Sequence, residues 1–288
     1  MCRWFMRYSG GTTRLKRTNR RIGGRTNVRR TTARRTTAQR TNVRRTSTRS
    51  SAYRSIVDLF YRDNGLFEQT MNSRSKEFKN NMDGFGIAAV VGRDLHQYRS
   101  MQIPHNDPNV KSWIRLLDGS APSVVVGHIR ANSFPGQPSH LGHTHPMCHH
   151  TPNFTCMVTV NGLIKYPDLN QGETDTQRFA RGIFKTIEQA TDGGRNVRFN
   201  LESEMTDILE KIKYDFRMTM AIVLIRNNRT TGANGANPIP LYYVARATNC
   251  SVEPQTLYHH KDMKLYASET LFASKGWKSV PIQRFSRR

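Results

Sequence analysis

The sequence predicts an α+β sandwich. Its strand-like apolar runs fall into two groups with helical segments between them, and they do not alternate strand by strand with helices as a doubly wound parallel sheet requires. Ahead of both groups lies a long stretch with nothing to bury. In chain order, the opening MCRWFMRY reads as a strand, and Tyr53 to Gln69 carries Ile56, Leu59, Phe60 and Phe67 at helical spacing, with Asn64-Gly65 as a breaker. DGFGIAAVVGRD reads as a glycine turn into a buried strand, SVVVGHIRANS as a second strand, and CMVTVNGLIKY as a third with Asn161-Gly162 at a turn. DTQRFARGIFKTIEQA puts Phe179, Ile183, Phe184 and Ile187 on one helical face, with Thr174 or Asp175 able to cap its start. Leu209, Ile212 and Phe216 mark another helix. The strands MTMAIVLIRN and IPLYYVARAT follow, and KLYASET with GWKSVPI forms a closing pair.

The 288 residues carry 45 basic and 21 acidic side chains, and 17 of the basic ones precede Asp58, the first acidic residue. The rest of the chain is only mildly basic. From Thr26 the sequence repeats in fives (TNVRR, TTARR, TTAQR, TNVRR, TSTRS). A period of five matches neither 3.6 nor 2.0 and draws no apolar face, so residues 12–52 are expected to be a disordered basic insertion. The domain expectation is therefore a nucleophile strand at 1–11, that insertion, and the remainder of the same domain at 53–288. Arg29, Arg30, Arg34, Arg35, Arg44 and Arg45 suit phosphate contact, which points to nucleic acid or another polyanion as a partner. An Arg- and Thr-rich, acid-poor segment also fits a transit peptide, whose cleavage would remove Cys2.

Four cysteines without a CxxC pair, no secretory signal and no apolar run of about 18 residues point to a soluble, intracellular protein that neither enters a membrane nor is secreted. HLGHTHPMCHH gathers five histidines and Cys148 in eleven residues, but its spacing matches no standard zinc pattern. It reads as a polar loop, and no metal or cofactor is expected.

The chemistry lies in residue types at strand ends. Once Met1 is removed, the Cys2 thiol would have a free α-amine beside it, with an ordinary pKa near 8, able to relay a proton. Arg130 offers a planar fork for a carboxylate. Asn161 and Gly162 offer a side-chain amide and a main-chain N–H, the two kinds of donor that build an oxyanion hole. Asp175 offers a carboxylate for an ammonium. Together they describe a site for the side-chain amide of an α-amino acid.

The stretches MCRWF, NNMDGFGIA, VVVGHIRANS, HTHP, VNGLI and GETDTQ, in that order, resemble the class II glutamine amidotransferases, which are N-terminal-nucleophile hydrolases. The opening MCR-aromatic and the tail LYASETLFASKGWKSVPI are most similar to the stand-alone, γ-glutamyl hydrolase-like branch. That resemblance implies a four-layer αββα fold and attack by Cys2 on a glutamine or γ-glutamyl amide through a thioester. It also implies Asn161 and Gly162 as oxyanion donors, Arg130 on the substrate α-carboxylate and Asp175 on its ammonium. Asp83, Gly84 and Gly86 would wall the nucleophile, and His145 would lie near the glutamate pocket. Either water or an ammonia-accepting partner protein would complete the reaction. Two positions depart from the pattern: Val160 stands where relatives often have His, and Gln177 where they often have Glu. A catalytically degenerate chain that packages nucleic acid through its basic arm is the alternative.

Overall fold

The computed structural model describes residues 3–8, 55–61, 66–67, 83–130, 140–170, 172–191, 199–226, 240–268 and 275–286. By its contacts the chain separates into one unit of residues 1–11 and 53–288 and a second of residues 12–52. The second unit lies outside the described residues, and so do all six candidate phosphate-binding arginines.

The first unit is mixed α+β with two sheets. One has seven strands in the order β11-β9-β10-β1-β4-β2-β3. Here β1 is Arg3–Tyr8, β2 Phe85–Val91, β3 Asp94–Ser100, β4 Val124–Ile129, β9 Tyr258–His260, β10 Leu265–Ala267 and β11 Trp277–Ser279. The other has five in the order β12-β8-β7-β6-β5, from β5 Met147–His150, β6 Phe154–Ile164, β7 Phe216–Arg226, β8 Leu241–Thr248 and β12 Ile282–Arg284. All neighbours pair antiparallel except β12 with β8. Among the described residues the α-helices that accompany them are α1 Ile56–Tyr61, α2 Val110–Gly119, α3 Asp175–Ala190 and α4 Leu201–Glu210.

Three apolar clusters follow from the two-residue alternation of strands. Odd residues of β1, β2 and β4, such as Phe5, Ile87 and Val125, pack with Phe60 of α1 and Ile114 of α2. Even residues of β6 and β7, such as Val158 and Met220, pack with Ile183 of α3 and Met205 of α4. The third cluster draws on both sheets, joining Met6, Ala88 and Val126 to Met157, Ala221 and Val223. Among the described residues no helix is long and apolar enough to cross a membrane.

Several expectations need correction. Asn161-Gly162 is not a turn: β6 runs through it in unbroken register, Asn161 opposite Thr219 and Gly162 opposite Met218. The adjacent strand comes so close that a Cβ on Gly162 would lie 2.2 Å from the Arg217 carbonyl oxygen, so glycine is there for close approach. Phe216 begins β7, and α4 has already ended at Glu210, because the Asn249 side chain takes the Phe216 N–H and fixes the strand start. The closing segments are no hairpin. β10 pairs with β1 and β9, whereas the tail places β11 in the seven-stranded sheet and β12 in the five-stranded one.

Phe60 meets Phe5 at 4.9 Å and Phe67 at 4.8 Å between ring centroids, and its ring occupies the space a Cβ on Gly127 would need. Phe60→Ala is therefore expected to lower unfolding free energy by about 3–5 kcal/mol, read from chemical denaturation of the full chain.

Candidate functional site

The layer shared by the two sheets is apolar at one end and polar at the other. Along β4 its residues run Val124, Val126, His128, with Arg130 just past the strand end, and along antiparallel β2 they run Val90, Ala88, Gly86, Gly84. In the facing sheet, Met157 gives way to Thr159 and Asn161 on β6, and Ala221 to Thr219 on β7. Arg246 lies opposite Thr219 on β8. Asn161, Thr219 and Arg246 thus form a polar row across three strands, all buried.

Arg130 sits directly past β4. Its N–H donates to the Gly84 carbonyl at 2.9 Å, and its own carbonyl accepts from Asp83 N–H at 3.3 Å, so Asp83, Gly84 and Arg130 extend the β2–β4 ladder. On the other flank of β4, Arg3 of β1 lies opposite Ile129. Cys2 lies outside the described residues.

The segment His140–Pro146 crosses β2 at this end. A Cβ on Gly86 would fall 2.0 Å from the His145 carbonyl oxygen, and one on Gly84, whose φ is +105°, would fall 2.6 Å from that of Ser100. Only glycine fits either position. Two cross-links tie this segment to the start of α3: Gln177 Nε2 donates to the Gly142 carbonyl at 3.1 Å, and His143 Nε2 meets the Gly172 carbonyl at 2.8 Å. His145 stacks obliquely on His128 with centroids 4.2 Å apart, and the Val160 main chain reaches both rings.

Thr174, not Asp175, caps α3. Its hydroxyl accepts from Gln177 N–H while the Gln177 side chain accepts from Thr174 N–H, a complete capping box. Asp175 is the first helical residue. Its Oδ2 accepts from Ile164 N–H at 2.9 Å and its Oδ1 from Thr176 N–H at 2.8 Å. Burial pushes its carboxyl above the ordinary range despite these bonds.

β5 reaches only to Met147, opposite Val158, so among the described residues no strand lies beside the outer edge of β6 beyond Val158. Val160 turns its main chain to the two histidines there, and Ile164 gives its N–H to Asp175 on the same edge. Hydrogen-bonding direction repeats every two residues along a strand, so Gly162 N–H points out at this edge too, about 7 Å along the strand from Ile164.

The structure therefore brings Asp83, Gly84, Gly86, Arg130 and His145 together at the polar end of the inter-sheet layer, which Asn161 faces from β6, whereas Gly162 turns to the opposite face of β6 and Asp175 sits on that strand's outer edge. Sequence reasoning missed His128, Arg246 and Gln255, whose Oε1 accepts from Asn161 Nδ2 at 2.6 Å. The alternation of β4 could have marked His128; nothing local marks Gln255. Among the described residues no group of three His, Cys, Asp or Glu side chains is placed to hold a metal ion. Burial raises the Cys148 thiol to about 12 and Cys156 well above its usual value, so neither is a nucleophile at neutral pH.

No protein-family model and no curated protein matches the chain. Solved structures do. One is a glutamine phosphoribosylpyrophosphate amidotransferase from B. subtilis, complexed with ADP and GMP, at 15% identity and TM-score 0.39 over 73% of this chain and 45% of that one. Another, described as the allosteric regulatory enzyme of purine biosynthesis, is 17% identical at TM-score 0.40, covering 66% of this chain and 36% of that one. A "predicted glutamine amidotransferase" from Pseudomonas aeruginosa PA01 is 15% identical at TM-score 0.35, covering 70% and 82%. The chain spans less than half the length of the first two.

His128 is fully buried with the Val160 main chain beside its ring, and burial, then the neighbouring His145 and Arg130, holds it well below the usual value of 6.5. Burial and then the Arg130 charge hold His145 down to about 3. Both rings are neutral in the fold but take protons once unfolded, so stability is full above pH 6.5 and falls as the solution is acidified toward 3. The slope is up to about 1.4 kcal/mol per pH unit for each ring. Urea midpoints measured from pH 7.5 to 5 are expected to fall, and to fall less steeply in His128→Leu.

Proposed function

We propose that the chain is a glutamine amidotransferase-type amidohydrolase, built as a four-layer αββα sandwich, that cleaves the side-chain amide of glutamine or a γ-glutamyl compound. Cys2 is the nucleophile once processing leaves it as the first residue. One observation carries this reading. Arg130 lies just past the end of β4, beside the start of β1, Asn161 faces the same inter-sheet layer from β6, and Gly162 and Asp175 follow along that strand. The three apolar clusters support the layering. Met6 and Tyr8 face the layer between the sheets, so β1 presents its even-numbered side chains there.

The Arg130 guanidinium takes the substrate α-carboxylate and Asp175 its ammonium. Gly162 N–H and Asp175 flank β6 at a spacing comparable to the three carbons that separate the amide carbon of glutamine from its amino nitrogen. The Cys2 α-amine takes the thiol proton as sulfur bonds to the amide carbon. The carbonyl oxygen becomes an anion held by Asn161 Nδ2 and Gly162 N–H. Collapse breaks the C–N bond, and the amine returns the proton to the departing ammonia, leaving a γ-glutamyl thioester. Water then adds to the thioester carbon, one of its protons goes to sulfur, and a γ-carboxylic acid leaves. Asp83, Gly84 and Gly86 form the wall, and His145 supports it. An ammonia-accepting partner protein would divert the first product.

The arginine density of residues 12–52 supports a second property, salt-sensitive binding of nucleic acid or another polyanion. Deleting 12–52 is expected to abolish that binding.

The amidohydrolase reading predicts ammonia or amine release from a panel of glutamine and γ-glutamyl compounds, and a single adduct with diazo-oxo-norleucine by intact mass. Both should be lost in Cys2→Ala. Arg130→Met should raise KM about tenfold to a hundredfold, the worth of a charge-assisted hydrogen bond. Release of product at the wild-type rate by Cys2→Ala would sink the reading.

A further inference from the structure

We propose that Gln255 is a positioning residue for this reaction: it fixes the rotation of the Asn161 amide and so aims that amide at the oxyanion. The inference rests on the amidohydrolase reading of the site. An asparagine amide has a broad, two-fold torsion, and its oxygen and nitrogen present opposite faces to an anion. A flip would replace a donor by a repelling acceptor. Gln255 Oε1 accepts from Asn161 Nδ2 at 2.6 Å, which selects the orientation with nitrogen toward Gln255. The two hydrogens of Nδ2 lie at a fixed angle in one plane, so committing one to Gln255 sets the direction of the other.

Gln255 is itself held by a buried cation. Arg246 Nε donates to the Gln255 carbonyl at 3.0 Å and Nη2 to the Pro254 carbonyl at 3.2 Å. Nη1 donates to Ser279 Oγ at 3.3 Å and the Val280 carbonyl at 3.2 Å, where the tail passes between the sheets. Arg246 and Asn161 belong to the same cross-strand row, bridged by Thr219, whose hydroxyl donates to the Asn161 carbonyl at 3.3 Å. Asn161 is therefore gripped at its main chain by Thr219 and at its amide by Gln255.

The test uses the full chain, with Gln255→Leu, Asn161→Ala and their double variant assayed for ammonia release. Gln255→Leu should lower kcat about tenfold to a hundredfold, within the range lost on removing an oxyanion donor, and leave KM within about threefold because no contact to the substrate's charged groups changes. In the Asn161→Ala background the same change should cost nothing further. In parallel, ¹⁵N-edited NMR of the Asn161 side-chain amide should show its two proton signals shifted and exchanging faster in Gln255→Leu but held near wild type in Gln255→Glu, which keeps an acceptor. An unchanged kcat in Gln255→Leu, an equal further loss in the Asn161→Ala background, or unmoved Asn161 signals would each overturn the proposal. A wild type that releases ammonia from no compound overturns the catalytic role together with the amidohydrolase reading, while the NMR comparison still decides whether Gln255 orients the amide.

Discussion

Strand alternation decides where the polar groups of this protein meet. Because successive side chains point to opposite faces, the even residues of β1, β2 and β4 and the odd residues of β6 and β7 share one layer between the sheets. That layer is continuous apolar packing at one end. At the other it holds His128, Thr159, Asn161, Thr219 and Arg246, all buried. Burying such groups costs about 1–3 kcal/mol for each one left without a hydrogen bond. Arg246 avoids the cost with four bonds, whereas His128, with the Val160 main chain beside its ring, remains neutral. The apolar end, with Met6, Ala88, Val126, Ala221 and Val223, offsets it.

Close approach is the second device. Glycine at 86 lets the His140–Pro146 segment lie directly on β2, glycine at 84 lets the Ser100 carbonyl approach, and glycine at 162 lets β7 press against β6. The segment is then locked to α3 through Gln177 and His143, each bonding to a main-chain carbonyl across the gap. Gln177 makes three hydrogen bonds at once, two with Thr174 in the capping box and one to Gly142. A glutamate there could close the capping box but could not donate to Gly142. Val160, the other departure from the class II pattern, turns its side chain into the cluster under the helices and gives the site only its main chain.

What the sequence disclosed follows from pattern strength. The apolar runs of β2, β4, β6 and β7 and the amphipathic face of α3 were legible because burial imposes a period. β3 was not, because it lies at a sheet edge and its DLHQYRS has too few apolar residues to alternate. Asn-Gly is the commonest signature of a tight turn, so a glycine kept for strand contact at 162 was misread from its neighbour. The candidate site residues Arg130, Asn161, Gly162 and Asp175 were legible through their chemical types and order. Gln255 was not, because its partner lies 94 positions away and only the turn pinned by Arg246 brings them together.

Asp175 shows how the fold separates structure from chemistry. A carboxylate in the first turn of a helix, accepting from Ile164 and Thr176, has every local reason to ionise easily, since the helix N-terminus and both bonds favour the anion. Its carboxyl is raised instead, because burial outweighs all of them. No ion pair to it occurs among the described residues. Partly buried as it is, the carboxylate gains most from a cation delivered beside it, and under the proposed function that cation is the substrate's ammonium.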